Sequence, residues 1–387
     1  MSRPGQRLGA ALALAAALAL AAGCGSAAPA SPAPAARAAP PLATSLVTAA
    51  GAWAVAVMGG SSAQYNNFWQ LFVRPAGSTR WTLVTPPGTA DNGGLVLAGG
   101  GGPALVTGLR PSQDLTYTPL VVTGDAGRAW SSAGPLDAVL ASVPDALAAA
   151  PAGGQLVALL TDGTAELARP GYTSWSTLAS LRALAATPAG RRCRPQDLTA
   201  AAYTPSGLPL LAGACGQPGT AGIFADAAGT WQPAGPRMPA ALARQHVTVL
   251  RLTRTANSNV ALLAAGTGPA TSLLAAWSAD NGGHWALSPP LKLNGAQLAS
   301  ASFGPGGAAA ILTSGNRGQA ITGPGAAWRS LPPLPPGTAT LVPDTGGGFD
   351  ALAVHATKLV VWHLAVGSAA WSTAQTITVP IQYGSSS

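Results

Sequence analysis

Thr123–Trp130 reads TGDAGRAW and Ser278–Trp285 reads SADNGGHW, two copies of one pattern, Ser/Thr-x-Asp-x-Gly-x-x-Trp, in a chain of 387 residues. Each fixed position has a local use. The hydroxyls of Thr123 and Ser278 and the carboxylates of Asp125 and Asp280 can accept hydrogen bonds from the backbone N–H groups of a tight turn. Gly127 and Gly282 can take a positive φ without penalty. Trp130 and Trp285 can close over the turn, burying on the order of 150 Å2 or more of mostly apolar surface. Weaker copies lie between and beyond. FADAAGTW, Phe224–Trp231, keeps Asp226, Gly229 and Trp231 with shifted spacing, and TGPGAAW, Thr322–Trp328, lacks the Asp. Arg74–Trp81, Arg169–Trp175 and Val366–Trp371 keep only Gly and Trp, and their hairpins are expected to be looser.

The tryptophans of these units fall at Trp81, Trp130, Trp175, Trp231, Trp285, Trp328 and Trp371, with gaps of 49, 45, 56, 54, 43 and 43 residues. Around each lie short β-like runs separated by Gly, Pro, Asn and Asp. In the fifth unit these are Val247–Arg251, Val260–Ala265, Leu273–Trp277 and Trp285–Leu287. Ser45–Thr48, Trp53–Val57, Phe68–Val73 and Trp81–Val84 fill the same slots in the first unit. Composition agrees. Charged residues are 8% of the chain, with Lys292 and Lys358 as the lysines and Glu166 as the one glutamate, against Gly 49 and Pro 35. That excludes a coiled coil or long-helix bundle, and Trp 11 argues against a disordered chain. A repeat near 45 residues with four short strands per unit predicts an all-β fold, a seven-bladed β-propeller of four-stranded antiparallel blades over 43–384.

The repeated octapeptide resembles the Asp-box, or BNR repeat, of sialidase-like β-propellers. That resemblance implies a structural box at the hairpin between the third and fourth strands of a blade, away from a central site. It also implies a catalytic kit of three arginines, a tyrosine activated by a glutamate, and an aspartate. Glu166, within a third strand, reads instead as an exposed strand residue. Phe72-Val-Arg74-Pro75 only echoes the family's Arg-Ile-Pro signature and runs into the wrong segment.

At the N-terminus, Arg3 and Arg7 precede a fifteen-residue small-apolar run, Leu8–Ala22, too short for a comfortable membrane span and suited to a secretion signal. Leu20–Cys24, LAAGC, resembles a bacterial lipobox, with Ala21 where leucine is usual. The resemblance implies a signal peptide over 1–23, lipid on Cys24, and attachment to the outer face of the bacterial cytoplasmic membrane. Ordinary signal cleavage is the alternative. Residues 24–42, rich in Pro and Ala, read as an extended tether. With Cys24 lipidated, Cys193 and Cys215 remain as a disulfide pair for an oxidising compartment, closing a loop at a gain of about 3 kcal/mol.

Other chemistry finds no support in the spacing. His246, His284, His355 and His363 show no metal-ligand pattern, Gly99–Gly102 lacks a phosphate-loop Lys, and Ser61-Ser62 lack a nucleophile-elbow context. No cofactor, metal or nucleic-acid partner is expected. The formal charge is +8, and eight arginines lie between Arg182 and Arg254. Arg182, Arg191, Arg192 and Arg194, in an insertion from Leu181 to Asp197, are the candidate anion-binding surface; scattered solvated charge is the alternative. A short helix is expected over Thr177–Ala186, and Tyr65–Trp69 forms a polar-aromatic cluster at a loop. The leading expectation is a monomeric, membrane-anchored binding scaffold for a protein or envelope glycan; a further reading in the same binding class, differing mainly in partner, is an assembly factor resembling the photosystem-assembly propellers with similar repeats. The alternative is a sialidase-like glycoside hydrolase or lyase working at the channel mouth.

Overall fold

The computed structural model describes residues 45–59, 67–86, 95–99, 105–109, 120–132, 144–151, 154–172 and 174–380. The expected signal peptide, Cys24, the tether, Ser61-Ser62 and Tyr65-Asn66 lie outside them. Among the described residues the strands form seven antiparallel sheets, each built from consecutive strands. Ser45–Thr48, Gly51–Gly59, Asn67–Pro75 and Thr82–Leu83 make the first. The second runs from Leu95–Gly99 to Ser131–Ser132, the third from Pro144–Ala149 to Trp175–Ser180, and the fourth from Ala200–Tyr203 to Thr230–Pro233. The fifth begins at Val247–Arg254 and adds a short extra strand, Leu291–Lys292, to its third strand. Leu298–Phe303 opens the sixth and Thr338–Pro343 the seventh, which ends at Ser372–Thr378.

From the first sheet to the fifth, and between the sixth and seventh, the first strands of neighbouring sheets touch, and the first strand of the first sheet also touches that of the sixth, so these strands gather about a common axis. Middle strands carry apolar side chains on both faces. Leu156–Leu160 and Ser272–Ser278 are buried at every position. Small alanines and branched aliphatics fit this setting, because each sheet is covered on both sides by its neighbours. Each pair of successive sheets shares one apolar core, and the last sheet packs on the first. The result is a closed β-propeller arrangement.

Among the described residues, ring closure uses no exchanged strand. Val342, Leu352 and Val361 of the seventh sheet pack against Ala54, Phe72 and Trp81 of the first. Around them lies a polar clasp. Asp350, 3% exposed, accepts from Arg74 Nη1 (2.6 Å) and from Trp81 Nε1 (2.8 Å). The Gln375 side chain accepts from Trp81 N (2.9 Å) and donates to Trp81 O (2.8 Å). A buried carboxylate is tolerable only when paired and hydrogen-bonded, and this one is both.

The box turns are built as their residues require. Thr123 Oγ1 donates to Asp125 Oδ1 and accepts from Gly127 N (3.0 Å), while Asp125 Oδ1 accepts from Ala129 N (2.9 Å). Ser278, Asp280, Gly282 and His284 repeat the arrangement. Phe224–Trp231 departs from it: its hairpin turns through Ala228 and Gly229, both at positive φ, and Asp226 Oδ1 accepts from Gly229 N. Two central residues at positive φ make a tight hairpin, which accounts for the shifted spacing.

Each repeat tryptophan lies in the core shared with the preceding sheet. Trp130 and Trp285 donate Nε1–H to Val84 O (3.1 Å) and Ala234 O (2.7 Å), just beyond the outer strand of that sheet. Trp371 bonds Pro332 O and Trp328 bonds Ser288 Oγ in the same way. Gly127 and Gly282 also face the preceding sheet; a Cβ there would meet the Val84 side chain at 2.6 Å or Ala234 at 2.7 Å. Loss of the box Asp does not expose the ring: Trp81, in an Asp-less copy, is 1% exposed.

The helix expected over Thr177–Ala186 starts later. Thr177–Ser180 belongs to the outer strand of the third sheet, and the helix is Leu181–Ala186, capped by Ser180 Oγ accepting from Ala183 N. A second helix, Pro188–Cys193, follows at once, because Thr187 caps it and Pro188 fits a first turn.

Trp285→Phe keeps most of the packing and removes the bond to Ala234 O; urea unfolding is expected to show a loss of about 1 kcal/mol, and Trp285→Ala about 3 kcal/mol or more. In the same box, the N–H of His284, then its ring, hold the Asp280 carboxyl down to about 2. A carboxylate whose folded value is depressed stabilises above its ordinary range near 4 and stops doing so as pH falls through about 2. The stability difference between the wild type and Asp280→Asn is therefore expected at pH 6 and should shrink toward zero near pH 2.

Candidate functional site

Strand direction sorts the loops onto two ends of the ring. Turns joining first to second and third to fourth strands, the box turns among them, lie at one end. Connections between sheets, and between second and third strands, lie at the other.

At the connection end stands the insertion between the third and fourth sheets. Its two helices are joined through Thr187, whose hydroxyl donates to Leu184 O and accepts from Gly190 N. Gly190 sits so close to Leu184 O that a Cβ could not fit. Cys193 and Cys215 form a disulfide with Cα atoms 5.0 Å apart, tying the second helix to the loop after Pro209–Gly213. Gly216 N to Arg194 O and Gln217 N to Cys193 O complete the joint. Beneath it, Leu184, Ala189, Cys193 and Trp231 share one core. Arg182, Arg191, Arg192 and Arg194 are all exposed on this lobe, and Arg194 takes the left-handed conformation that ends the helix. Buried anchors beneath exposed arginines make a fixed cationic surface.

At the turn end a cavity of about 820 Å3 opens between the first, fifth, sixth and seventh sheets. Its floor is Arg251, buried on the innermost strand of the fifth sheet. The guanidinium donates to Ser45 O and Ala301 O on the first strands of the first and sixth sheets, and lies 5.4 Å from the Phe303 ring. Burial pulls it down to about 10, so it is still charged at neutral pH. On one wall Asp350 meets Arg74 and Trp81, and His363 Nδ1 lies 2.9 Å from Asp350 Oδ1 and 3.9 Å from Asp344 Oδ2. Asp344 Oδ1 accepts from Gly348 N (2.8 Å). Opposite stands Arg254, half-buried, its Nε buried without an acceptor and its Nη1 only 3.4 Å from Thr255 O.

The other sequence candidates lie apart. Glu166 is half-buried in Thr164–Ala168, opposite Ala158, and burial, then Asp162, push its carboxyl up. Tyr203, which the sequence did not single out, is buried between the third and fourth sheets, and burial pushes its phenol above the ordinary range. Neither lines the cavity. His246 and His355 are exposed, and His284 caps its own box through Asp280. Among the described residues no group of three His, Cys, Asp or Glu side chains is placed to hold a metal, and no helix is long and apolar enough to cross a membrane. The cavity residues gave no sequence signal: Arg74 and Asp350, for example, are 276 positions apart.

Neither a protein-family model nor any curated protein matches the sequence. Solved structures do match in shape. A protein from Lactobacillus plantarum, 11% identical, aligns over 84% of this chain and 96% of its own with a TM-score of 0.53. A candidate 6-phosphogluconolactonase from Bacteroides uniformis, 10% identical, covers 84% and 96% at 0.51. YCF48 bound to D1 peptide, 15% identical, covers 84% and 92% at 0.46. At such identities the likeness is one of fold.

Because the disulfide closes a loop between residues 22 apart, replacing both cysteines by serine is expected to lower unfolding stability by about 3 kcal/mol. Dithiothreitol should lower the wild-type midpoint and leave that of the double variant unchanged.

Proposed function

We propose that this chain is a seven-bladed β-propeller lipoprotein, anchored through Cys24 to the outer face of the bacterial cytoplasmic membrane, that serves as a binding scaffold. Its contact surface is the arginine lobe, and its partner is a protein or envelope glycan bearing negative charge. The observation that carries this reading is the disulfide-pinned lobe, where Arg182, Arg191, Arg192 and Arg194 are exposed over a packed core. A cationic surface held on a rigid base loses little side-chain freedom on binding and attracts anionic partners at long range.

A second reading has one observation in its favour. The cavity places Asp344, Asp350 and His363 beside Arg74, and a divergent glycoside hydrolase or lyase would need acids and a cation at the channel mouth. Against it, Asp350 is buried under three donors, a setting that suits a structural carboxylate better than a proton shuttle.

The triple variant Arg191→Glu/Arg192→Glu/Arg194→Glu is expected to lose capture of cell-envelope components at least tenfold, while wild-type capture weakens with added salt. Equal capture by both proteins would sink the surface assignment. Turnover of any fluorogenic glycoside by the purified chain would favour the second reading.

A further inference from the structure

We infer that the cavity at the turn end is a binding site for a small organic oxyanion, a carboxylate or phosphate carried on a body of sugar size, with Arg254 as its principal contact. This inference is independent of the arginine lobe, which lies at the other end of the ring. Size is the first support: about 820 Å3 falls within the range of pockets that enclose small molecules. The second is the balance of donors and acceptors. The lining carboxylates are engaged, Asp350 by Arg74, Trp81 and His363, and Asp344 by Gly348 N. Arg254 is not. Its Nε is buried with no partner, no carboxylate among the described residues pairs with it, and its one hydrogen bond is long.

A guanidinium without a counter-charge is unfavourable in a partly buried setting, so an oxyanion that accepts from Arg254 is favoured there. The planar fork of a guanidinium matches the two oxygens of a carboxylate or phosphate. Arg251, itself buried, adds a second positive charge at the floor. Phe303 and Leu46 supply an apolar wall, and Thr253 and Thr255 line the pocket with hydroxyl-bearing side chains.

Glucuronate, glucose 1-phosphate and glucose share one ring and differ in charge, so calorimetric titration of the purified chain with all three tests the site. At least one of the two anions is expected to bind saturably and at least tenfold more tightly than glucose; comparing them shows whether the site takes carboxylate or phosphate. Arg254→Gln should weaken that anion at least tenfold with an unchanged unfolding midpoint. Ala256→Trp, at an exposed position on the rim, should weaken it as well by narrowing the mouth, and serves as the deciding variant should Arg254→Gln fail to fold. No saturable binding by either anion, equal binding of glucose, or undiminished binding by the folded variants overturns the inference.

Discussion

The packing of each repeat's indole against the sheet before it is the contact on which the ring depends. A four-stranded sheet rich in alanine and valine, with apolar side chains on both faces, cannot stand alone in water. It needs a neighbour on each side, and the chain supplies neighbours only by repeating. What fixes one unit against the last is a tryptophan at the third turn, packed into the shared core. In most units its N–H is seen to reach the preceding sheet. The packing is apolar and tolerant of angle. The hydrogen bond is directional, because a buried indole N–H without an acceptor is unfavourable, and so it sets the stagger between sheets.

Closing the circle makes a different demand. Six junctions join sheets that follow one another in the chain, whereas the seventh must hold the two ends of the chain together. The same element serves, since Trp81 packs on the seventh sheet as Trp130 packs on the first. Here the acceptor is the Asp350 carboxylate instead of a carbonyl, and Arg74 and His363 converge on it. The junction with the least help from chain connectivity thus carries the strongest polar contacts, which are charge-assisted.

A chain with so few charges leaves each one conspicuous, and the fold spends them at its two ends. At the connection end, arginines stand outward on a lobe whose interior is sealed by a disulfide and a tryptophan. At the turn end they point inward, one bolting three innermost strands across the axis and another left with unused donors. Both settings follow from guanidinium chemistry. It remains charged when buried, and it can satisfy several carbonyls or one oxyanion with the same planar fork.

Much of the fold was legible in the sequence, because the signals that define a unit are local. Strand runs such as Val260–Ala265 and Trp53–Val57 lie where the structure has strands, and the box turns close as Thr123, Asp125 and Gly127 require. The pairing of Cys193 with Cys215 was expected from the lipobox resemblance of Leu20–Cys24, which sets Cys24 aside, and the disulfide is present. The second helix was harder to see, since Pro188 and Gly190 read as breakers until Thr187 is placed as a cap. The cavity could not be read at all: Arg74, Asp344 and His363 share no spacing and meet only because the first and seventh sheets are neighbours in a circle, and Arg254 faces them from the fifth sheet. Turn chemistry, strand period and repeat length act over a few residues, so the sequence determined them. Which side chains face one another across the axis depends on closing that circle, a long-range condition that only the packed tertiary structure decided.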